Sequence, residues 1–441
     1  MKKEKRRSFL KTAAIGIPAF VVVPRHVLGG SGFRAPSDRL NLASIGAGGV
    51  CAHYIESCST ENIAALCDVD DLRAAETYAR YPAARRYRDF RHMLETEKDL
   101  DACIIGTPDH THATAAAAAM ERGLHIYCAK PLTRTIAEAR YLTELAARTG
   151  IVTQMSTQQN ASDDHRLLCE WLWSGVIGDV VEVHLWSDRP IWPQGIPRPP
   201  DMPSAPSTLD WQLWLGPAPQ RPYHPAYIPF AWRGWWDFGT GALGDMGCHG
   251  FDPVVTALRL TQPLTVEASC TPMNGDSFPA GSIVQYEFPA REAGPALRFT
   301  WYDGGLKPPR PDELIGDELM DYGSGGTLYV GTGGKLITGA AGNKPRLIPE
   351  KRMAEFQAPA PHLKRSPGHY REWIEACKGG EKPGVPFEYG GPLTEMVLLG
   401  NIALRRPGRK LLWDHAAMRI TNDAEANNYI GESYHNGWQL F

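Results

Sequence analysis

Residues 40–68, LNLASIGAGGVCAHYIESCSTENIAALCD, read as a buried strand (Leu40, Leu42, Ala43, Ile45), a glycine turn (Gly46, Gly48, Gly49), a helix opening at Val50 and Cys51, and a second apolar strand, Ile63 to Cys67, that ends in Asp68. A glycine turn between strand and helix lets backbone N–H groups at the helix N-terminus approach a pyrophosphate, and an acid about 20 residues on can bind an adenosine ribose. The segment therefore points to a dinucleotide. The third glycine of G-x-G-x-x-G falls at Cys51, a residue small enough for close helix packing. A carboxylate at Asp68 can accept from both ribose hydroxyls and repels a 2′-phosphate, which favours NAD. Arg73, close in sequence, leaves NADP as the alternative.

From residue 36 to about 155 apolar strands and helical patterns alternate: a helix near 70–80, strands near 102–106, 125–128 and 151–154, and helices over 113–122 and 136–148. Alternation of this kind implies a parallel sheet covered on both faces, a doubly wound nucleotide domain of α/β class. Over residues 156–441 the texture changes. An amphipathic helix over 163–173 leads to strand-like runs at 180–186, 265–270, 283–288 and 297–301, separated by proline-rich loops. We expect an α+β substrate domain, an open and mostly antiparallel sheet with helices packed on one side. The proline-rich stretches at 189–206 and 307–312 are long enough to line a binding site.

Composition sets further bounds. With 441 residues, 43% hydrophobic and 22% charged, the chain has room for two sizeable cores. A net charge of -3 gives no electrostatic case for nucleic acid or an acidic membrane. The nine cysteines are scattered and form no C-x-x-C, so they read as small buried hydrophobes, with neither a disulfide framework nor a metal centre expected. At the start, Lys5-Arg6-Arg7-Ser8-Phe9-Leu10-Lys11 precedes a short apolar run broken by Pro18. This matches a twin-arginine export signal over about residues 1–35, and the run is too short for a stable membrane span. The twin-arginine export machinery is then a partner, and the destination is the periplasm or the cell surface.

Three motifs converge beyond the glycine turn. Thr107-Pro108-Asp109-His110-Thr111-His112 follows a strand, Ala129-Lys130-Pro131 follows the next, and Asp245-Met246-Gly247-Cys248-His249 follows a glycine-rich run. In this order and spacing they resemble the Gfo/Idh/MocA oxidoreductase family, whose members pair a Rossmann domain with an open-sheet substrate domain. The resemblance covers essentially everything after the export signal. It implies that Lys130, Asp245 and His249 are catalytic, that Thr107, Pro108, His110, Ala129, Lys130 and Gln158 contact the cofactor NAD, and that subunits pair as a homo-oligomer. Ala129 stands where the family carries a glutamate. Oxidising a sugar hydroxyl requires a base beside it, and Lys130 and His249 are both candidates, with Asp245 available to hold His249.

Nine of the thirteen tryptophans lie between Trp171 and Trp236. Indole faces stack on the C–H face of a pyranose, so the loop from Tyr223 to Trp236, with Trp232 and Arg233, is expected to form the sugar wall. A periplasm has no evident supply of NAD, which favours redox-neutral chemistry with a retained cofactor. The α-N-acetylgalactosaminidase type of NAD-dependent glycosidase, a branch of the family, works in this way, and its W-R pair matches Trp232-Arg233. Its tyrosine three residues before the histidine is Met246 here. Three readings result: an exported NAD-dependent enzyme acting on sugars or glycosides through a 3-keto intermediate, a sugar or cyclitol dehydrogenase, and a non-catalytic NAD-bound sugar-binding protein.

Overall fold

A computed structural model describes residues 38–440, and the expected export signal lies outside them. Strands β1 (Asn41–Ile45), β2 (Asn62–Cys67), β3 (Arg85–Tyr87), β4 (Ala102–Ile105), β5 (His125–Cys128) and β6 (Thr153–Met155) form a parallel sheet in the order β3-β2-β1-β4-β5-β6. Between them run α1 (Val50–Ser57), α2 (Asp71–Arg80), α3 (Phe90–Thr96), α4 (Asp109–Glu121) and α5 (Ile136–Thr149). The connections reverse direction between β1 and β4, and an open α/β sheet binds ligands in the crevice at that point. This is the expected doubly wound fold.

Local chemistry sets the helix ends. The Asp70 carboxylate accepts from the N–H groups of Leu72 and Arg73 to start α2. Thr135 and Glu138 form a reciprocal capping box on α5, which Gly150 ends in the left-handed conformation, φ 64°. The short strand β3 and helix α3 were not anticipated, because Arg85, Arg86 and Tyr87 at an exposed edge carry no apolar alternation.

The second sheet has nine strands: β7 (Val180–Ser187), β8 (Thr265–Cys270), β9 (Ser282–Phe288), β10 (Leu297–Tyr302), β11 (Gly325–Gly331), β12 (Gly334–Gly339), β13 (Arg346–Ile348), β14 (Leu411–Asp414) and β15 (Arg419–Ile420). Their order is β13-β12-β11-β7-β10-β9-β8-β14-β15, antiparallel throughout except for the parallel pair β7 and β10. In β9, Ser282, Val284, Tyr286 and Phe288 are buried while the intervening residues are partly exposed, the alternation of a sheet with one covered face. The helices of this half are α6 (Asp163–Trp173), α7 (Trp211–Leu215), α8 (Gly241–Leu258), α9 (Glu350–Glu355), α10 (His369–Cys377) and α11 (Phe387–Arg405). Helix α8 carries Asp245 and His249, and Gly250 lets it approach the sheet: a Cβ there would lie 2.4 Å from Leu185.

Helix α11 joins the two sheets into one core. It packs on α5 and on β8 and β9, and Arg140 of α5 grips the buried Glu395 through two hydrogen bonds of 2.8 and 2.7 Å. At its start Phe387 N–H donates to Thr153 Oγ1 at 2.8 Å, and Val385 N–H donates to Gln154 Oε1 at 3.0 Å. Among the described residues no helix is long and apolar enough to cross a membrane.

The irregular position of the glycine fingerprint has a compensating partner. Cys51 is fully buried and packs on the end of β4, where a Cβ on Gly106 would lie 2.6 Å from the Cys51 sulfur. The missing helix-side glycine is thus balanced by a glycine on the strand side. Gly106→Ala should lower the melting temperature through a loss of about 1–3 kcal/mol from overpacking, and Cys51→Gly should partly rescue it. Thermal denaturation of the single and double variants measures this, and equal losses with and without Cys51 would contradict the pairing.

Candidate active site

One cavity of about 810 Å³ runs from the glycine turn to the start of α8. That size is ordinary for a cofactor plus a small substrate. Gly46, Gly48, Gly49, Val50, Asp68, Thr107, Pro108, Ala129, Lys130, Gln158, Trp232, Arg233, Asp245 and His249 all line it, so most of the expected site residues come together in space.

The turn end suits a dinucleotide. Gly49 adopts φ 60° before α1, and no side chain caps the first-turn N–H groups of that helix. Gly46 adopts φ 90°, and a Cβ there would lie 2.8 Å from the Gly106 carbonyl oxygen. Asp68 stands at the end of β2 on the cavity wall, but its carboxylate already accepts from Ala47 N–H at 2.8 Å, Gly48 N–H at 3.2 Å and Asp70 N–H at 3.0 Å. A carboxylate offers about four acceptor sites, so the expectation that Asp68 takes both ribose hydroxyls is corrected. It braces the turn and retains room for about one further bond. Burial pushes its acid up from the ordinary range, and the three N–H groups oppose that shift. Arg73 lies along the same turn, its side chain against Gly48 and Gly49.

At the other end, Lys130 leaves β5 and Asp245 and His249 occupy successive turns of α8. Lys130 Nζ donates to Asp245 Oδ1 at 2.9 Å and to the Asp245 carbonyl oxygen. Arg233, on the short 3-10 turn Ala231–Gly234, donates through Nε to the same Oδ1 at 2.9 Å. The guanidinium rests over Trp232, 4.2 Å from the ring centroid, and over Phe230 at 4.5 Å. Burial raises the Asp245 acid, but the two cations outweigh it and hold the carboxylate below its usual range.

Asp245 does not hold His249, contrary to the sequence reading. No hydrogen bond joins the two; the carboxylate accepts from the two cations through Oδ1 instead. The His249 ring makes no hydrogen bond among the described residues and borders the cavity. Burial, then the positive charge of Lys130, pulls its pKa from 6.5 to about 3, so its imidazole is neutral at physiological pH.

Three further expectations are corrected. His110 does not reach the cavity: it is buried, with Nε2 2.9 Å from the Trp214 carbonyl oxygen and Nδ1 3.3 Å from that of Phe238. It fastens the aromatic loop to the Rossmann half, and Asp109 does the same by accepting from Thr240 Oγ1 at 2.6 Å. Tyr223 packs edge-on against Trp211, 5.4 Å between ring centroids, within a separate aromatic cluster. The wall is formed instead by Ile228, Pro229, Phe230 and Trp232. Cys51 lies behind the turn and not at the cavity. The sequence reading also missed residues that line the cavity, among them Trp214, Arg189 and Trp438. Arg189 opens the proline-rich loop that had been expected near a site, whereas Trp438 comes from the end of the described chain, where no pattern signals it.

The order of elements and the clustered motifs agree with a match to two family models. Residues 40–157 match the oxidoreductase family, NAD-binding Rossmann fold, and residues 198–290 match the C-terminal alpha/beta domain of the same family. Both matched segments are those of the Gfo/Idh/MocA oxidoreductase family. Its cofactor is NAD, as the Rossmann model states. Among curated relatives, levoglucosan dehydrogenase of Pseudarthrobacter phenanthrenivorans is 27% identical over 187 residues, 42% of this chain and 40% of that protein. Inositol 2-dehydrogenase of Salmonella typhimurium is 29% identical over 124 residues, 28% of this chain and 37% of that one. Glycosyl hydrolase family 109 protein 1 of Shewanella sp. (strain ANA-3) is 28% identical over 203 residues, 40% and 44%. The match thus spans less than half the length of each curated relative. The fold extends further: the WlbA dehydrogenase of Bordetella pertussis, solved with NADH and UDP-GlcNAcA, superposes with a TM-score of 0.61 over 85% of this chain and 99% of that one at 15% identity.

The environment of His249 makes a spectroscopic prediction. A histidine pKa depressed by burial keeps the ring neutral as pH falls, so the His249 ring resonance, assigned against a His249→Asn variant, should stay constant from about pH 8 to about pH 5. Nuclear magnetic resonance of ring-labelled histidine measures this. A midpoint near the ordinary value of 6.5 would contradict it.

Proposed function

We propose that this chain is an exported NAD-dependent enzyme acting on sugars or glycosides, and that it cleaves a glycosidic bond in a redox-neutral cycle through a 3-keto intermediate with NAD retained. The observation that carries this reading is the Arg233–Asp245–Lys130 cluster. The arginine of the W-R pair sits on the same carboxylate oxygen as the catalytic lysine, at 2.9 Å from each. The glycosyl hydrolase family 109 relative supports the glycoside class.

Bound NAD would supply the acceptor that takes the carbon-3 hydride and gives it back. The neutral His249 imidazole would accept the carbon-3 hydroxyl proton, since it borders the cavity with no partner of its own. Lys130, oriented by its hydrogen bond to Asp245, would donate to the oxygen that becomes the ketone, which acidifies the carbon-2 proton. Loss of that proton to solvent, with departure of the leaving group as an alcohol that takes up a solvent proton, gives an enone; water then adds its hydroxyl to carbon 1 and a solvent proton to carbon 2, and the carbon-3 hydride and hydroxyl proton return. Gln158, held by the hydroxyls of Tyr127 and Tyr370 at 3.3 Å each, would orient the nicotinamide end.

A dehydrogenase acting on a sugar or cyclitol is the second reading, favoured by Met246 in place of the glycosidase tyrosine and by the levoglucosan and inositol dehydrogenase relatives.

Incubation of the purified protein with an aryl glycoside in D2O should release phenol without added NAD and place deuterium at carbon 2. Lys130→Ala and His249→Ala should each lower turnover by about 100-fold or more while bound NAD is retained. A requirement for stoichiometric NAD, with a keto sugar accumulating, would select the dehydrogenase. No turnover on any glycoside or free sugar would select the binding protein. Export has its own test: replacing Arg6 and Arg7 by lysine should leave the protein in the cytoplasm, and unchanged localisation in cell fractions would refute it.

A further inference from the structure

A second cavity, of about 220 Å³, lies between the start of α5, helix α11 and the segment from Trp236 to Gly239. Arg134, Trp236, Asn401, Arg405, Tyr429 and Glu432 are among its walls. The Arg405 guanidinium lies 3.5 Å from the centroid of the Trp236 ring and 5.3 Å from that of Tyr429. It makes no hydrogen bond or ion pair among the described residues. Trp236 also stacks on Phe278, with 3.5 Å between centroids. Stacking occupies the flat face of a guanidinium and leaves its N–H edge to point elsewhere.

The walls hold more polar capacity than the protein uses. Trp236 and Asn401 are only 7% and 8% exposed, yet the indole Nε1–H and the Asn401 Oδ1 have no protein partner. The same is true of Arg134 Nε–H and Glu432 Oε1. Arg134 is paired with Glu432 and donates to the Trp236 carbonyl oxygen at 2.7 Å. Two guanidiniums and one carboxylate leave the cavity walls with a net charge of +1, and its uncompensated member is Arg405. Burial and the nearby Arg134 pull the Arg405 pKa down to about 10, which still leaves it charged at neutral pH. Buried polar groups without partners are costly, and the half-buried Arg405 adds a cation with no counter-ion beside them. Water can satisfy the polar groups, and an anion can also balance the charge.

We propose that this cavity is a binding site for a small monoanionic oxyanion, a carboxylate that also bears a hydroxyl group. The N–H edge of Arg405, Trp236 Nε1–H and Arg134 Nε–H are the donors for the oxyanion. Asn401 Oδ1 and Glu432 Oε1 are the acceptors for the hydroxyl. The volume equals about seven waters, which admits a two- to four-carbon acid. The site is built into the segment that carries the catalytic groups. Asn401 Nδ2 donates to the Thr240 carbonyl oxygen at 2.8 Å, Thr240 immediately precedes α8, and Trp236 follows Arg233 by three residues. A bound acid would brace the link between Arg233 and Asp245.

Titration calorimetry of the NAD-loaded protein with glycolate, acetate and inorganic phosphate tests this. Glycolate should bind with one site per chain and more tightly than acetate. Arg405→Met should weaken it by about tenfold or more, as for loss of a charge-assisted contact, with NAD content unchanged. Should that variant fail to fold, Arg405→Lys keeps the charge without the planar fork and should bind several-fold more weakly. Arg233→Met, in the large cavity, should leave glycolate affinity unchanged. Tighter binding of phosphate than of glycolate, with the same dependence on Arg405, would keep the oxyanion site and overturn its assignment to a hydroxy acid. No binding up to about 10 mM, an unchanged affinity in folded Arg405→Met, or a loss confined to Arg233→Met would overturn the site.

Discussion

A carboxylate with little access to water stays ionised only when cations reach it, and Asp245 has two. Removing a charge from water costs several kcal/mol per ion, and the attraction between partners repays that cost only if the geometry is tight. Here Lys130 comes from the end of a Rossmann strand and Arg233 from a loop of the other half, and both contact one oxygen atom of a residue on α8. The positions of three separate chain segments therefore depend on one another. Loss of either cation would leave the other to balance a buried charge alone. The same cluster sets the state of His249, because the positive charge of Lys130 adds to burial in keeping that ring neutral. A neutral ring able to accept a hydrogen bond thus stands at the cavity beside the Lys130–Asp245 pair.

Much of this was legible in the sequence because it rests on local rules. Strand–glycine–helix order, the alternation of apolar runs and the three motifs after successive strands all depend on near neighbours, and they placed Gly46, Lys130, Asp245 and His249 at one cavity. What the sequence hid depends on distant partners. That Cys51 is tolerated could be explained only with Gly106, which lies 55 positions later and faces it across the helix–strand contact. That Asp245 serves Lys130 and Arg233 and leaves His249 alone follows from where the aromatic loop folds, and i to i+4 spacing on a helix suggested the opposite. His110 sits within a motif that implied cofactor contact, but two carbonyl oxygens from the loop capture its ring. Trp438 reaches the cavity with no periodicity to announce it.

The aromatic loop shows how one composition serves two ends. Trp211, Trp214, Tyr227, Trp235 and Phe238 stack among themselves as a small core. That core holds Ile228, Pro229, Phe230 and Trp232 at the cavity edge. Rigid support of this kind costs little entropy at the moment a ligand binds, because aromatic side chains have few rotamers to lose.

Helix α11 gives the molecule a property that neither sheet would have alone. Its first residue and the segment just before it hydrogen-bond to β6, its middle accepts from Arg140 of α5 through Glu395, and it packs on β8 and β9 of the second sheet. A nucleotide domain joined by a simple linker could open and close independently of its neighbour. In this protein such opening would strip the parallel sheet of a covering helix and expose the buried Glu395, so partial unfolding of one half is unfavourable without the other. Local opening of the nucleotide half is then coupled to cooperative loss of the whole structure.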